Sequence, residues 1–487
     1  MPRLNIYLIL FAVIVYLLTA GVTLRDRLLI STLHRIERNA YFEPTTKDLF
    51  EGAMVGMAAV LSDEYSRYIP PSRETTYRDR LDNRYEGFGI SIRLHEKGEN
   101  QFFIAYPQPN SPAYRSGLRS GDQILQIDGI SLVDKTYGEA FRLLRQPRAA
   151  GESPPVRVHL QADDTPAVHL FVLPFGQTEP KDFFLKRERI HSDSVEGDYY
   201  KERLGDSPPV HSSRVFSLEA HPQIGYIRIT SFSSSTADEF GKALERMTQW
   251  GSTSFILDLR DNAGGDVWNC VLVARMLMSP DSVSGNVVAT VRDRDGSARL
   301  RHRHFVLVEG TQRCTLPMVV LINGESASAS EILAAALQDH HRATVVGTRS
   351  FGKGIIQNII DLPFRSGILQ LTDSAYRRPN GASIHRKHNA ADSDDWGVIP
   401  DHNVEISEAE SSVVMSYRVL RSNVISEHRL AVLEQFRQQI VEEEDGELEF
   451  TGSAPYYDPQ LDEAIRVLQE STTGAVPDTR RVSVAPP

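Results

Sequence analysis

The chain has 487 residues, of which 41% are hydrophobic and 24% charged, and this composition is ordinary for folded globular domains. The length predicts two to four such domains. Acidic side chains number 64 against 53 basic ones, which gives a net charge of −11. The protein therefore lacks the positive field that nucleic-acid binding usually needs, and we exclude DNA and RNA as partners.

The first predicted element is an apolar segment from Leu4 to Leu24, in which Asn5 is the only strongly polar side chain. Its length is about enough to cross the hydrocarbon core of a bilayer. No clear small-x-small cleavage site follows it. The sequence therefore predicts an uncleaved transmembrane signal anchor over residues 1–24, with the membrane as a partner of this helix.

A helical pattern comes next, with apolar residues at Leu49, Ala53, Met57 and Val60. Two prolines at positions 70 and 71 then interrupt the pattern. Residues 25–80 are therefore predicted to form a helical N-terminal region.

From Tyr85 the pattern changes to that of β-strands. A glycine-containing turn precedes alternating apolar residues at 90, 92 and 94, and the apolar run 102–106 follows. Downstream stand the segments Ser111-Pro-Ala, Ser116-Gly-Leu, Ser120-Gly-Asp and Ile127-Asp-Gly. With these segments the stretch resembles a PDZ domain of the bacterial kind, predicted over residues 81–175. The alternative is a hairpin that needs glycine only for its turns.

PDZ domains add a peptide to their sheet as an extra strand and bind its terminal carboxylate with backbone amides of a glycine-containing loop. The resemblance implies that this loop consists of Gly87, Phe88, Gly89 and Ile90. It also implies that proteins with exposed C-termini are partners of this domain.

A polar linker or peripheral subdomain is predicted from residue 176 to residue 213, before strand and helix patterns begin to alternate. Strand patterns at 225–230, 254–260, 316–322 and 343–346 are separated by helical ones. This alternation predicts α/β layers. After Asp401 the sequence becomes helical and acidic, and residues 405–487 are predicted to form a helical C-terminal extension with a disordered tail.

The spacing of cysteine and histidine predicts no metal site. Cys270 and Cys314 are too few for a disulfide framework or a zinc site, and both are predicted to be buried apolar residues. The pair His385 and His388 is interpreted as part of a solvated loop. The sequence therefore predicts neither a metal nor another cofactor.

Ser328 has the surroundings of a nucleophile. It stands between Ala327 and Ala329 at the point where an apolar helix begins. Its small neighbours leave the hydroxyl accessible, and the N-terminal end of a helix favours developing negative charge.

Lys353 has the surroundings of a general base. The flanking Gly352 and Gly354 allow a close approach of the backbone, and the run from Ile355 to Ile360 is predicted to be a buried strand. Such a strand would desolvate the amine and lower the pKa of the lysine toward the range of a general base. Gln357 could supply the third group that orients the base.

Four segments between about Ile224 and Asp401 resemble the carboxyl-terminal processing peptidases, a serine peptidase family with a ClpP/crotonase-like α/β fold. They are Gly225-Tyr-Ile-Arg-Ile-Thr-Ser-Phe, Leu257-Asp-Leu-Arg-Asp-Asn-Ala-Gly-Gly, Gly324-Glu-Ser-Ala-Ser-Ala-Ser-Glu and Gly347-Thr-Arg-Ser-Phe-Gly-Lys-Gly-Ile-Ile-Gln. The resemblance implies an α/β peptidase core over residues 176–404, with an inserted PDZ domain and helical N- and C-terminal regions. It implies that Ser328 is the nucleophile, Lys353 the general base and Gln357 the residue that orients the lysine.

The resemblance also implies an oxyanion hole formed by backbone N–H groups of Ala329 and of the Gly264-Gly265 turn. Which of the two glycines contributes stays open. Ala263 departs from the family pattern, which usually has proline there, and a freer φ angle would loosen the turn. Ser326 and Ser330 are interpreted as local helix-start residues.

Two other assignments are weaker. The segment from Gly347 to Lys353 fits most of a Walker A phosphate loop, but Gly354 replaces the residue that would bind magnesium, and strand formers follow instead of a helix. His340 and His341 follow the helix that Ser328 begins, so they are expected to interact with its C-terminal dipole rather than to act as bases.

Together these features predict a membrane-anchored serine endopeptidase, single-pass in the cell membrane, with its catalytic part outside the cytoplasm in the periplasm or cell envelope. Its PDZ domain would recognise C-terminal tails of unfolded or tailed proteins, and Ser328 would cut a nearby peptide bond through an acyl-enzyme. The alternative is a catalytically silent scaffold that binds C-terminal peptides, or a peptidase gated by a regulatory partner.

Overall fold

The computed structural model describes residues 23–61, 63–96, 100–145, 167–201, 213–281, 285–293, 305–391, 393–426, 428–443 and 458–472. Its α-helices are α1 (Leu24–Asn39), α2 (Thr46–Ala59), α3 (Pro71–Leu81), α4 (Pro112–Arg115), α5 (Tyr137–Arg145), α6 (Thr236–Gln249), α7 (Val267–Leu277), α8 (Ala329–Asp339), α9 (Glu408–Asn423), α10 (Arg429–Glu443) and α11 (Pro459–Thr472).

Its strands are β1 (Arg67–Ile69), β2 (Arg84–Gly87), β3 (Ile90–His95), β4 (Gln101–Pro107), β5 (Gln123–Ile127), β6 (Ile130–Ser131), β7 (Ala167–Leu173), β8 (Lys181–Lys186), β9 (Glu188–His191), β10 (Val195–Glu196), β11 (Tyr199–Lys201), β12 (Ser213–Val215), β13 (Ile224–Ile229), β14 (Ser254–Asp258), β15 (Val287–Asp293), β16 (Phe305–Val306), β17 (Met318–Ile322), β18 (Thr344–Gly347), β19 (Ile355–Asp361), β20 (Ile368–Arg377) and β21 (His402–Asn403).

The described residues fall into two compact units. The first comprises the residues up to Thr75 together with Gln357–Asp373. Helices α1 and α2 each begin at a threonine N-cap that exchanges hydrogen bonds with an aspartate three residues later. Strand β1 pairs antiparallel with the beginning of β20, so that Ile69 lies opposite Ile368.

The predicted single-pass membrane localisation is corrected by the structure. Among the described residues, no helix is long and apolar enough to cross a membrane. Apart from its last two residues, the predicted anchor lies outside the described residues.

In the second unit, the region predicted as a PDZ domain forms an antiparallel sheet in the order β3-β4-β5-β7-β8, with β6 paired to β5. Apolar side chains of β3, β4, β5 and β7 form a core with those of α4 and α5. Strand β3 stands at the end of this order, so one of its edges has no partner strand among the described residues. The predicted polar stretch after residue 176 contributes β8 to this sheet, and β9 pairs with β2.

The α/β core of the second unit is a sheet in the order β10-β13-β14-β17-β18-β21, parallel except for β10. Strands β13, β14 and β17 are buried at every position, which explains their continuous apolar runs. Alternate residues face opposite layers. Leu257 and Val320 pack with α6, α7 and α8, whereas Ile256 and Val319 pack with α11. The predicted α/β layers are confirmed.

Helices α9 and α10 of the C-terminal region pack on the outer side of the PDZ sheet. Phe103 and Ala105 of β4 form one apolar cluster with Val413 of α9 and with Leu433 and Phe436 of α10. The predicted helices after Asp401 are therefore present, while the domain boundaries stay predictions.

Candidate active site

Ser328 precedes the buried helix α8 in a strained backbone conformation. Its φ is 56° and its ψ −113°, a region that non-glycine residues rarely adopt. Every residue of α8 from Ala329 to Leu337 is buried, which fixes the helix in the core. The backbone conformation at this turn therefore fixes the direction in which the Ser328 side chain leaves the chain.

The neighbouring serines tie this turn to the rest of the core. The Ser326 hydroxyl donates to the carbonyl oxygen of Leu259 at 2.9 Å, and the Ser330 hydroxyl donates to that of Asn262 at 2.8 Å. Both side chains are fully buried. Both hydroxyls therefore join this turn to the segment from Leu259 to Asn262, and the predicted role as local helix-start residues does not describe these bonds.

The glycines beside Lys353 are required by close contacts. A Cβ added to Gly352, whose φ is +89°, would lie 2.8 Å from Cβ of Arg386. A Cβ added to Gly354 would lie 2.4 Å from the backbone nitrogen of His385. The strand β19 follows this segment, where a phosphate loop would need a helix.

The strand after Lys353 differs from its prediction. Residues of β19 are half-buried or exposed, and Ile359 and Ile360 are 42% and 38% exposed. The continuous apolar run predicts a buried strand, but the side chains of this strand are partly exposed to solvent. The structure therefore does not support the predicted desolvation of Lys353 by a buried strand.

Glu331 joins the serine and lysine segments, a role that the sequence analysis missed. Its fully buried carboxylate accepts hydrogen bonds from the backbone N–H groups of Ser328 (2.9 Å), Gly352 (2.7 Å) and Lys353 (2.8 Å) and from the Ser350 hydroxyl (2.6 Å). Burial raises the pKa of Glu331, and these hydrogen bonds oppose that rise. The capping signature formed by Ser328 and a glutamate three residues later could have identified it.

Tyr376 joins the same two segments from the other side. Its hydroxyl lies within hydrogen-bond distance of the carbonyl oxygens of Ser328, at 3.0 Å, and of Lys353, and shares its single proton between them. The side chain is 1% exposed, and burial raises the pKa of Tyr376 well above its ordinary value, so the hydroxyl keeps its proton. No local sequence pattern marks this tyrosine.

The predicted oxyanion turn lies directly against Ser328. A Cβ added to Gly264 would lie 2.8 Å from Cβ of Ser328 and 2.9 Å from the nitrogen of Ala329. The N–H of Gly264 already donates to Oδ1 of Asn262 at 2.9 Å. In the described part of the chain, the N–H groups of Ala329 and Gly265 donate to no other residue.

Hydrogen bonds hold the turn that lacks proline at position 263. The carbonyl oxygen of Asn262 accepts from the N–H of Ala327 at 3.0 Å. Asp261, at a φ of 60°, accepts from the Asn323 side-chain amide at 2.8 Å and pairs with Arg418 of α9. These contacts fix the two residues that precede Ala263.

Gln357 belongs to the first compact unit. Its side-chain amide donates to the Thr372 hydroxyl at 3.2 Å, and that hydroxyl donates to Asp63 at 3.0 Å. The role of Gln357 in orienting the lysine stays a prediction.

The loop predicted to bind a peptide carboxylate depends on glycine. Gly89 has a φ of +70°, and a Cβ there would lie 2.1 Å from Cβ of Ser111. Phe88 is buried in the PDZ core, between Gly87 at the end of β2 and Ile90 at the start of β3. A groove of about 610 Å³ extends along β3 and is lined also by Tyr137 of α5 and Met415 of α9. Peptide binding there stays a prediction.

The structure also places the histidine and the two cysteines that the sequence analysis considered. His340 caps the far end of α8 and its Nε2 contacts the carbonyl oxygen of Val287 at 2.8 Å. Cys270 and Cys314 are buried, as predicted, and burial raises the pKa of both thiols.

One group of possible metal ligands occurs among the described residues. Atoms of His191, Asp193 and Glu239 lie within 4.8 Å of one another. The Glu239 carboxylate, however, accepts from the Ser194 N–H at 2.7 Å and from the Ser235 hydroxyl at 2.6 Å. Its place at the start of α6 is that of a structural cap, and the cluster carries no metal assignment.

The family description "Peptidase family S41" matches residues 223–404, and a PDZ domain description matches residues 103–150. A carboxyl-terminal-processing protease of Synechocystis sp. is 32% identical over 353 residues, covering 72% of this chain and 70% of that protein. A carboxy-terminal-processing protease of Bartonella bacilliformis is 30% identical over 449 residues, covering 90% of this chain and 87% of that protein. Among solved structures, the chain is similar to a photosystem II D1 C-terminal processing protease, at 24% identity with a TM-score of 0.40, covering 79% of this chain and 94% of that one.

Proposed function

The chain belongs to peptidase family S41, within its carboxyl-terminal processing proteases, and is thus a serine peptidase with a PDZ domain; from this we propose that Ser328 and Lys353 are its nucleophile and general base. The observation that carries the proposal is that the buried Glu331 carboxylate binds the N–H groups of both residues. Two segments that are distant in sequence are thereby held side by side.

The proposed reaction proceeds through an acyl-enzyme. The neutral amine of Lys353 takes the proton of the Ser328 hydroxyl while Oγ attacks the scissile carbonyl carbon. The resulting oxyanion accepts hydrogen bonds from the N–H groups of Ala329 and Gly265, which the described residues leave available. We assign Gly265 rather than Gly264 because the N–H of Gly264 is already bonded to Asn262.

Collapse of the tetrahedral intermediate breaks the C–N bond, and the protonated Lys353 gives its proton to the leaving amine. A water molecule then attacks the ester, with Lys353 again as the base, and Ser328 regains its proton. Gln357 would orient the lysine amine. This balance of protons needs neither a metal nor another cofactor.

The proposed substrates are unfolded or tailed proteins that present a C-terminal tail. The edge of β3 that has no partner strand among the described residues can take such a tail as an added strand, and the loop from Gly87 to Ile90 would bind its carboxylate. The exposed aromatic side chain of Tyr137, which lines the groove along β3, favours apolar residues near the tail end.

The test compares the full chain with Ser328→Ala and Lys353→Ala on an unstructured protein that ends in apolar residues. Both variants are expected to lose cleavage by about 10³-fold or more, because each removes a reacting group. They should still bind the tail, as measured by fluorescence anisotropy. Lys242→Ala, which removes an exposed lysine paired only with Asp238 on α6, is the matched control and should cleave normally.

A second arm uses the same substrate with an amidated C-terminus, which should bind and be cleaved more weakly. Cleavage by both active-site variants at the wild-type rate would refute the assignment of the two residues. Tail binding without cleavage by the wild-type chain would instead favour the scaffold or gated alternative.

A further inference from the structure

We propose that Tyr376 is a positioning residue of the peptidase site and that, together with Glu331, it sets the separation between Ser328 and Lys353. The inference rests on the proposed roles of those two residues. It concerns how the site is held, since the Tyr376 hydroxyl touches backbone atoms rather than the reacting groups.

The side chains of Glu331 and Tyr376 bind the backbone N–H and carbonyl groups, respectively, of both Ser328 and Lys353. Glu331 accepts from the N–H groups of Ser328 and Lys353, at 2.9 and 2.8 Å. The Tyr376 hydroxyl shares its one proton between the carbonyl oxygens of the same two residues. The polar backbone groups of the nucleophile and of the base are therefore joined through shared partners, one acceptor and one donor.

Tyr376 is anchored to the lysine segment by its backbone as well. Its own N–H donates to the carbonyl oxygen of Gly354 at 3.0 Å. The strand that carries it, β20, also pairs with β15, where Tyr376 lies opposite Val291. The hydroxyl thus extends from a fixed strand across the lysine segment to the serine turn.

Burial makes these contacts hard to replace. Tyr376 is 1% exposed and Glu331 is fully buried, so water has little access to substitute for a lost hydrogen bond. The Ser328 backbone, at a φ of 56°, needs surrounding contacts to persist in this strained conformation. Removal of the hydroxyl would free the two carbonyl groups to move independently.

Such movement should affect catalysis more than folding. A general base must lie within about 3 Å of the proton that it takes, and a misplacement of about 1 Å can cost a factor of about 100 in rate. Tail binding takes place at the PDZ sheet and should not depend on this contact.

The test is Tyr376→Phe in the full chain, which removes one oxygen and retains the ring. We expect kcat to fall about 10- to 100-fold while KM changes by less than about threefold, because alignment rather than substrate binding is lost. The rate at which a fluorophosphonate probe labels Ser328 should fall in proportion to kcat.

Tyr200→Phe is the matched control. Tyr200 is also buried, and its hydroxyl bonds to Arg214, away from the serine and lysine segments. This variant should lose a similar amount of thermal stability but keep its kcat and its labelling rate. A purely structural role of Tyr376 predicts that the two variants behave alike.

The outcomes separate this inference from the proposed function. If Ser328→Ala is inactive but Tyr376→Phe has a kcat within about twofold of the wild type, the positioning role is refuted and the Ser/Lys assignment stands. Equal losses in Tyr376→Phe and Tyr200→Phe also refute it. If Ser328→Ala still cleaves, the proposed function itself has failed.

Discussion

Gly264 marks the place where the proposed oxyanion turn touches Ser328. Its φ is +96°, and a Cβ there would lie 2.7 Å from the carbonyl oxygen of Ala327 as well as 2.8 Å from Cβ of Ser328. Distances of this size do not occur between a real Cβ and a backbone atom. The turn and the serine can therefore approach one another only because position 264 has no side chain.

Gly264→Ala is expected to lower kcat/KM by about 100-fold or more, because the added methyl group must displace Ser328 or the turn. The unfavourable φ angle alone should cost about 1–2 kcal/mol of stability. Activity assays and urea unfolding of the variant measure the two effects.

Gly251→Ala provides the control, since Gly251 also has a positive φ of +81° but has no atom within 4 Å of an added Cβ. It should lose stability and keep its activity. Equal activities of the two alanine variants would contradict the steric argument.

Helix α9 connects the PDZ sheet with the oxyanion turn. Its Val413 and Tyr417 pack in the cluster that contains Phe103 of β4. On the same helix, Arg418 is 4% exposed and pairs with Asp261 and, at 3.5 Å, with Asp258. A single helix thus contacts both the PDZ sheet and the turn beside Ser328.

Arg418→Leu should destabilise the second unit by about 3–5 kcal/mol, because it leaves the two aspartates without this partner in a buried setting. Urea unfolding followed by circular dichroism measures the loss. Arg437→Leu on α10 removes a partly exposed pair with Glu434 and should cost less than about 1 kcal/mol. A similar cost for both variants would show that the buried pairing adds little.

Local sequence features could predict some of these elements but not others. Alternating or continuous apolar runs identify most strands, whereas small neighbours and glycines only favour Ser328 and Lys353 as reacting residues. The burial of β19 was misjudged because an apolar run does not reveal whether another layer covers it. Tyr376 could not be found because its role depends on the pairing of β20, which brings it to residues far away in sequence.

A buried group of charges holds together segments from distant parts of the chain. Arg260 is paired with Asp258 at 2.7 Å and with Asp458, next to α11, at 2.8 Å, and all three are at most 1% exposed. Burial would raise the pKa values of both aspartates, but the arginines Arg260 and Arg418 hold them below their ordinary values. The ionised forms therefore stabilise the folded chain.

The sign of the pH dependence follows from these lowered pKa values. The stabilisation is complete above the unfolded-state pKa of about 3.9 and is lost as the pH falls through the folded-state values. Asp458→Asn should be less stable than the wild type by about 3 kcal/mol at pH 7, and this difference should shrink at pH 3.

Urea unfolding at the two pH values measures this difference. Asp462→Asn is a suitable control, because Asp462 lies on α11 outside the Arg260 pairing and its pKa is raised rather than lowered by burial. A difference between wild type and Asp458→Asn that is the same at pH 3 and pH 7 would contradict the linkage argument.

The pairing of Arg260 with Asp458 also bears on the order in which the protein is made. A ribosome adds Asp458 only after it has completed Arg260, Ser328 and Lys353, so the arginine must wait for its second buried partner. The group of charges around Arg260 can therefore be complete only after the segment that begins α11 has been synthesised.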